Sequence, residues 1–220
     1  MAAEFSAEPG DRPLHPDDCA PDPVRLSLTG VTLGQAVAAV LAVLVIGNEY
    51  GTGLIHTTLA AVPGRATVLA AKAAVVAGAT LVAGLPAVLA SALAARGALP
   101  TAAFPLTATT LRACAGSVLY LVLVALLALG LATAVRDAAV ATGTVLGLLY
   151  LFPLLTHVVT DAGLRRLLTR IGPMPAGLAV RATTDLRQLP IGPWTGLGVL
   201  ALWTTAALLA GGAVLRLRDA

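Results

Sequence analysis

The chain has 220 residues, 58% of them hydrophobic and only 11% charged, against roughly 45–50% and about 25% in a soluble globular domain. So few charges cannot cover the surface of a water-soluble fold of this size, which excludes an ordinary cytosolic enzyme. The same shortage of charges excludes a nucleic-acid-binding domain, and the net charge of +3, with no basic run, says nothing about DNA or RNA.

In chain order, residues 1–28 come first. They hold Glu4, Glu8, Asp11, Asp17, Asp18 and Asp22 among several prolines, a composition that predicts a polar disordered tail. With no basic start and no apolar centre, the tail is not a signal peptide. Residues 29–220 read as one transmembrane domain. Crossing about 30 Å of hydrocarbon takes about 20 apolar residues in a helix. Five runs qualify: about 31–47, 68–95, 113–135, 138–160 and 194–215. Lipid offers the backbone no hydrogen-bond partners, and the runs lack the period-2 pattern of a barrel, so each is predicted as a helix. The fold class is therefore all-α: a polytopic integral membrane bundle of five transmembrane helices.

Small residues inside the spans predict close helix contacts. Gly30/Gly34, Gly143/Gly147 and Gly192/Gly196 have the small-xxx-small spacing. Pro86 and Pro153 are expected to kink their helices. Trp194, Tyr150 and Tyr120 are candidate interfacial anchors, or plain lipid-facing bulk. Gln35, the one amide of the first span, either lines an interhelical path or bonds a neighbouring helix. Arg136-Asp137 is a tight turn between the third and fourth spans.

The segment joining the first two spans carries the most information. Glu49 stands just past the first span, and Gly51 and Gly53 permit a sharp change of direction. Residues 52–61 can form a short amphipathic helix along the membrane surface. Leu54, Ile55 and Leu59 lie on its apolar side and His56 and Thr57 on its polar side, with Glu49 near its positive end. Pro63 and Gly64 stop it, while Arg65 and Lys72 flank the next span.

No catalytic constellation is visible. There is no G-x-x-x-x-G-K-[ST] phosphate loop, and His15, His56 and His157 share no metal-ligand spacing with each other or with Cys19 and Cys114. The chain is thus expected to have no catalytic, cofactor-binding or metal site of its own. His157 and Asp161 are expected to meet as a cap-like surface pair one helical turn apart.

The run Glu49-Tyr50-Gly51-Thr52-Gly53-Leu54-Ile55-His56-Thr57-Thr58-Leu59, followed by Pro63, Arg65 and Val68-Leu69-Ala70-Ala71-Lys72, resembles the permease subunits of ATP-binding-cassette exporters of the type-2 (ABC-2) family found in actinobacteria. That family carries an E-Y-x-x-G-x-I-R-x-T-L-x-x-x-P-x-R stretch after its second transmembrane helix. The resemblance extends to the AVRDAAVATGTVLGLLYLFPLL pair of spans and to the stretch around Gly192-Pro193-Trp194. It implies that Glu49, Tyr50, Gly53, Leu54, Ile55, His56, Thr57, Thr58, Leu59 and Arg65 belong to a cytoplasmic coupling segment docked on a separate ATPase subunit. ATP and magnesium would be bound by that partner. A second permease protomer and the lipid bilayer complete the implied partners, in the cytoplasmic membrane. Substrate class is not implied.

Two departures stand out. His56 occupies the place of the family's arginine, and the family's first helix has no counterpart before residue 29, so five spans are expected instead of six. A truncated accessory or structural subunit that does not transport is the alternative expectation, and an integral-membrane enzyme a weaker third. The implied orientation puts 48–66 inside and 96–112 and 161–193 outside. The positive-inside rule opposes it, since only Arg65, Lys72, Arg136, Arg216 and Arg218 of the fourteen cations then face the cytoplasm. The long 161–193 connection resembles the family's external loop before its final helix, which implies short re-entrant helices, and Pro173, Pro175 and Pro190 with Gly172 and Gly177 suit broken helices.

Overall fold

The computed structural model describes residues 30–52, 64–98, 107–183 and 191–218. Among these, every regular element is helical. Five long helices match the apolar runs: α1 (Gly30–Thr52), α2 (Arg65–Ala98), α3 (Ala108–Val135), α4 (Ala138–Val158) and, after two shorter ones, α7 (Pro193–Arg218). Each is long and apolar enough to cross a bilayer. The short pair is α5 (Ala162–Ile171) and α6 (Pro173–Leu178), followed by a 3-10 turn at Ala179–Arg181. The tail at 1–28 lies outside the described residues.

The bundle is built around α3. Two-thirds (67%) of its apolar window is buried, against 17% for α2 and α4. The reason is compositional: a helix apolar on every side can be enclosed on every side. α3 packs against α1, α2, α4 and α7. The outer helices turn Leu33, Val75, Val82, Leu93, Leu154, Leu202 and Leu209 outward. In water this would be an aggregation surface, and in lipid it is ordinary contact.

Close packing is set by glycines, but mostly not by those in the three spaced pairs. A Cβ on Gly30, Gly34, Gly143 or Gly147 would meet nothing within 4 Å. A Cβ on Gly130 would come within 2.6 Å of the Ala207 carbonyl carbon, and one on Gly211 within 2.7 Å of the Gly130 carbonyl oxygen. These two glycines let α3 and α7 cross nearly backbone to backbone. Thr204 adds a bond across the same crossing, its hydroxyl donating to the Leu123 carbonyl at 3.0 Å. Gly196, from the third spaced pair, does sit at a contact, against the Ala176 carbonyl of α6.

The turn between α3 and α4 follows the expected pattern and shows how it is made. Arg136 adopts a left-handed conformation (φ 66°), and its N–H donates to the Ala132 carbonyl at 2.9 Å. Asp137 then caps α4, its carboxylate accepting from the Val140 N–H at 2.8 Å. Helices α2 and α4 run on through Pro86 and Pro153 as single helices.

The connection after α4 folds back into the bundle. Because α4 ends at Val158, His157 and Asp161 do not share a helix. Asp161 instead caps α5, accepting from the Leu164 N–H at 2.6 Å. α5 stays on the surface with no buried residue. Gly172 ends it where a Cβ would press on Pro175 and Phe152 at 2.7 and 2.8 Å, and Pro173 opens α6. From there Pro173, Met174, Ala176, Gly177, Val180 and Arg181 are buried among α3, α4 and α7.

Candidate functional site

The structure gathers polar chemistry at the two ends of the bundle. At one end lie the C-terminus of α1, the N-terminus of α2, the α3–α4 turn and the C-terminus of α7. Gly47 of α1 touches Ala138 of α4 there, and Gly212 of α7 faces Leu69 of α2. Arg136 reaches from the turn to donate to the Val214 carbonyl at 3.3 Å.

The residues at the borders of the candidate coupling segment meet at this end. Glu49 and Lys72, 23 positions apart, form an ion pair between α1 and α2. Both side chains are largely buried, Lys72 at 14% and Glu49 at 26% exposure. Glu49 does not lie beyond the span, as its position in the sequence implied, but inside the last turn of α1, which runs on to Thr52. The negative end of a helix dipole disfavours a carboxylate there, so Lys72 offsets an unfavourable placement. The second oxygen, Glu49 Oε2, is buried with no hydrogen-bond partner among the described residues. Tyr50 belongs to α1, and Arg65 opens α2. Gly53, Leu54, Ile55, His56, Thr57, Thr58 and Leu59 lie outside the described residues, as does most of the amphipathic helix expected over 52–61.

At the opposite end is a polar node in which Gln35 bonds neighbouring helices, one of the two roles its sequence position allowed. Gln35 of α1 is fully buried. Its amide nitrogen donates to the Met174 sulfur at 3.3 Å, and its carbonyl oxygen accepts from the Tyr120 hydroxyl. One side chain thereby ties α1 to α3 and to α6. Tyr120 is likewise fully buried, so it is an internal donor and not an interfacial anchor. Beside it, Arg181 is 7% exposed, and its guanidinium donates to the Thr32 hydroxyl at 3.4 Å. Tyr150 of α4 donates to the Thr32 carbonyl at 3.0 Å, while Arg112 of α3 donates to the Ala182 carbonyl at 2.7 Å. A lone amide in an apolar span signalled that Gln35 needed a partner. Nothing local in the sequence pointed to Met174 or Arg181, or to Tyr120 as the partner of Gln35; the three come from three other segments.

The node is closed and its bonds are internal, so it does structural work. Tyr120→Phe removes the donor to Gln35 and leaves an amide oxygen buried without it. Interhelical bonds in membranes are worth about 0.6–2 kcal/mol, and a loss of that size is expected in thermal unfolding of detergent-solubilised protein. An unchanged midpoint would mean that the Gln35 amide has found another donor.

Among the described residues no three His, Cys, Asp or Glu side chains converge on a point that could hold a metal. Among the described residues, wide grooves with apolar linings face outward, for example that between α1 and α2 lined by Val37, Leu41, Val45, Val75, Ala79 and Ala83. They lack the convergent polar groups that orient a substrate for chemistry.

Five membrane-length apolar helices, four of them packed around a buried central one, define an α-helical, multi-pass membrane protein. Comparison with known proteins goes no further: no family model matches the chain, and no characterised protein or solved structure is significantly similar to it.

Proposed function

We propose that the chain is the permease subunit of a type-2 ATP-binding-cassette exporter, moving its substrate across the cytoplasmic membrane with energy from a separate ATPase subunit. A second permease protomer pairs with it, and ATP and magnesium are bound by the ATPase. The observation that carries the reading is the ion pair of Glu49 with Lys72, the first and last residues quoted in the family-like motif. It ties together the two spans that bracket the segment 53–63 at one end of the bundle.

The proposed mechanism is mechanical. ATP binding draws the two ATPases together, and the docked inter-span segment moves with them. A stiff junction passes that displacement to α1 and α2 as rigid bodies, where a slack one would absorb it. Glu49 and Lys72 supply the stiffness. Leu54, Ile55, Thr57 and Thr58 form the docking face, and His56 stands where a charge-assisted contact would be expected. The paths that open are lined by leucine, valine and alanine, which favours a hydrophobic or amphiphilic cargo.

The test is co-reconstitution with a candidate ATPase subunit, followed by ATP hydrolysis in vesicles. Leu54→Glu is expected to cut permease-dependent hydrolysis by about tenfold, equivalent to about 1.4 kcal/mol of docking, with the variant still inserted in the membrane. Undiminished hydrolysis would sink the docking assignment. A wild-type chain that inserts but never stimulates an ATPase would point to the accessory subunit instead.

A further inference from the structure

We propose that α5 is an interfacial helix that binds the phosphate headgroups of anionic membrane lipids. Leu164, Leu167, Leu168 and Ile171 recur at the i, i+3, i+4, i+7 spacing of a single helical face. Arg165, Arg166 and Arg170 share the other face with Thr169. Unlike the spans, which are apolar all round, this helix is sharply two-sided. Its apolar side is not spent on the protein core: Leu164, Leu167 and Ile171 remain 47%, 50% and 45% exposed.

Location decides what those side chains meet. The membrane-length part of α4 ends at Val158 and α5 begins at Ala162. The three intervening residues can reach at most about 10 Å. The headgroup layer is about 5–8 Å deep on each side of the hydrocarbon, so α5 starts within or beside it. Its other end is held by Gly172 against Phe152 of α4 and by α6, which re-enters the bundle. The Trp203 indole of α7 adds a bond to the Ile171 carbonyl at 2.9 Å. The far end of α5 thus leans toward Phe152 and Trp203 inside the spans, while its first half stays beside Thr156 and His157 at the end of α4. At that depth a basic two-sided helix sinks its leucines into the acyl boundary and keeps Arg165 and Arg166 among phosphates.

The arginines have little reason to be there for the helix itself. Arg165 and Arg166 occupy its first half, where the dipole disfavours cations, and neither pairs with a carboxylate among the described residues. Together with Thr156 and His157 from the end of α4, and with Thr169, they line a polar cleft of about 350 Å³. Two guanidiniums that line one cleft can both donate to the oxygens of a phosphate placed there, and the adjoining leucine face takes the chains attached to it. Free phosphate would use the cleft but not the leucines. A lipid uses both, and it is the lipid that the combined surface fits.

The experiment uses the purified full chain in detergent, with lipid retention read by native mass spectrometry. Phosphatidylglycerol and phosphatidylcholine of identical chains are offered in equal amounts. Wild-type protein is expected to retain phosphatidylglycerol preferentially. Each arginine near an anionic surface is worth about a fivefold gain, so Arg165→Gln with Arg166→Gln is expected to lower that preference by roughly ten- to thirtyfold. Arg216→Gln, at the opposite end of the bundle, is expected to leave it intact. Equal retention of the two lipids by wild type would overturn the proposal. So would a preference that survives the double substitution, or one that Arg216→Gln abolishes equally. Displacement of the lipid by inorganic phosphate alone would assign the cleft to a free anion and overturn the lipid assignment. All three positions are exposed, and an unchanged unfolding midpoint for each variant checks that folding is not the cause.

Discussion

Gly196→Val is expected to be the most damaging single substitution in the bundle. A Cβ at position 196 would fall inside van der Waals contact of the Ala176 carbonyl oxygen and 2.9 Å from its carbonyl carbon. Both are backbone atoms, so no side chain can swing aside. α7 and α6 would have to separate, and α6 has little freedom to retreat. On its far side Gly177 lies where a Cβ would be 2.6 Å from the Tyr120 ring, and Met174 accepts from Gln35. Overpacking costs about 1–3 kcal/mol where side chains can yield. A backbone clash that also loosens the Gln35–Tyr120 node belongs at or above the top of that range, about 3 kcal/mol. Gly143→Ala is the matched control. Nothing lies within 4 Å of its Cβ position, and alanine gains up to about 1 kcal/mol of helix propensity over glycine. Thermal unfolding followed by the fluorescence of Trp194 and Trp203 compares the two. Equal midpoints would mean that α6 is not seated against the first turn of α7.

The contrast between these two glycines shows what could be read from the chain alone. The spans were legible because lipid imposes one strict rule on length and composition, and runs such as 113–135 satisfy it without reference to any other residue. Arg136-Asp137 was legible as a turn because two consecutive polar residues interrupt an otherwise continuous apolar stretch. Gly196 and Gly143 are alike in local sequence, each a member of a spaced pair. Only the path of residues 173–181, returning into the bundle, makes one a contact and leaves the other facing outward. Tyr120 was misjudged for a related reason. Tyrosine in a span is commonly found at the interface, but here a buried amide on another helix drew its hydroxyl inward. At the borders of the candidate coupling segment, Glu49 was legible as important and Lys72 as a lone cation at the edge of a span. Their pairing follows only once α1 and α2 form a hairpin, and the extension of α1 to Thr52 moved Glu49 from the start of the connecting segment into the end of a helix.

Because Glu49 and Lys72 are joined, exchanging them is expected to succeed where removing either fails. Glu49→Ala leaves the Lys72 ammonium, 14% exposed, against an apolar wall with no carboxylate. Exposed pairs are worth at most about 1 kcal/mol, and breaking a fully buried pair costs about 3–5 kcal/mol. This pair lies between those limits, so a loss of about 2 kcal/mol is expected. Glu49→Lys combined with Lys72→Glu restores the attraction and also puts a cation in the last turn of α1, where the dipole favours it. Most of the lost stability is expected to return, giving a coupling energy of about 1–2 kcal/mol in the double-mutant cycle. The two losses simply adding would mean that the pair contributes nothing as a pair. A third variant separates holding the fold from transmitting motion. Glu49→Met with Lys72→Met replaces the pair by apolar packing of similar size, which often matches or exceeds an ion pair in stability, yet supplies no directional contact between α1 and α2. In an exporter this variant is expected to unfold at or near the wild-type midpoint while permease-dependent ATP hydrolysis drops severalfold. Full hydrolysis in the Met/Met protein would show that packing alone couples the spans, and would remove the ion pair from the proposed mechanism.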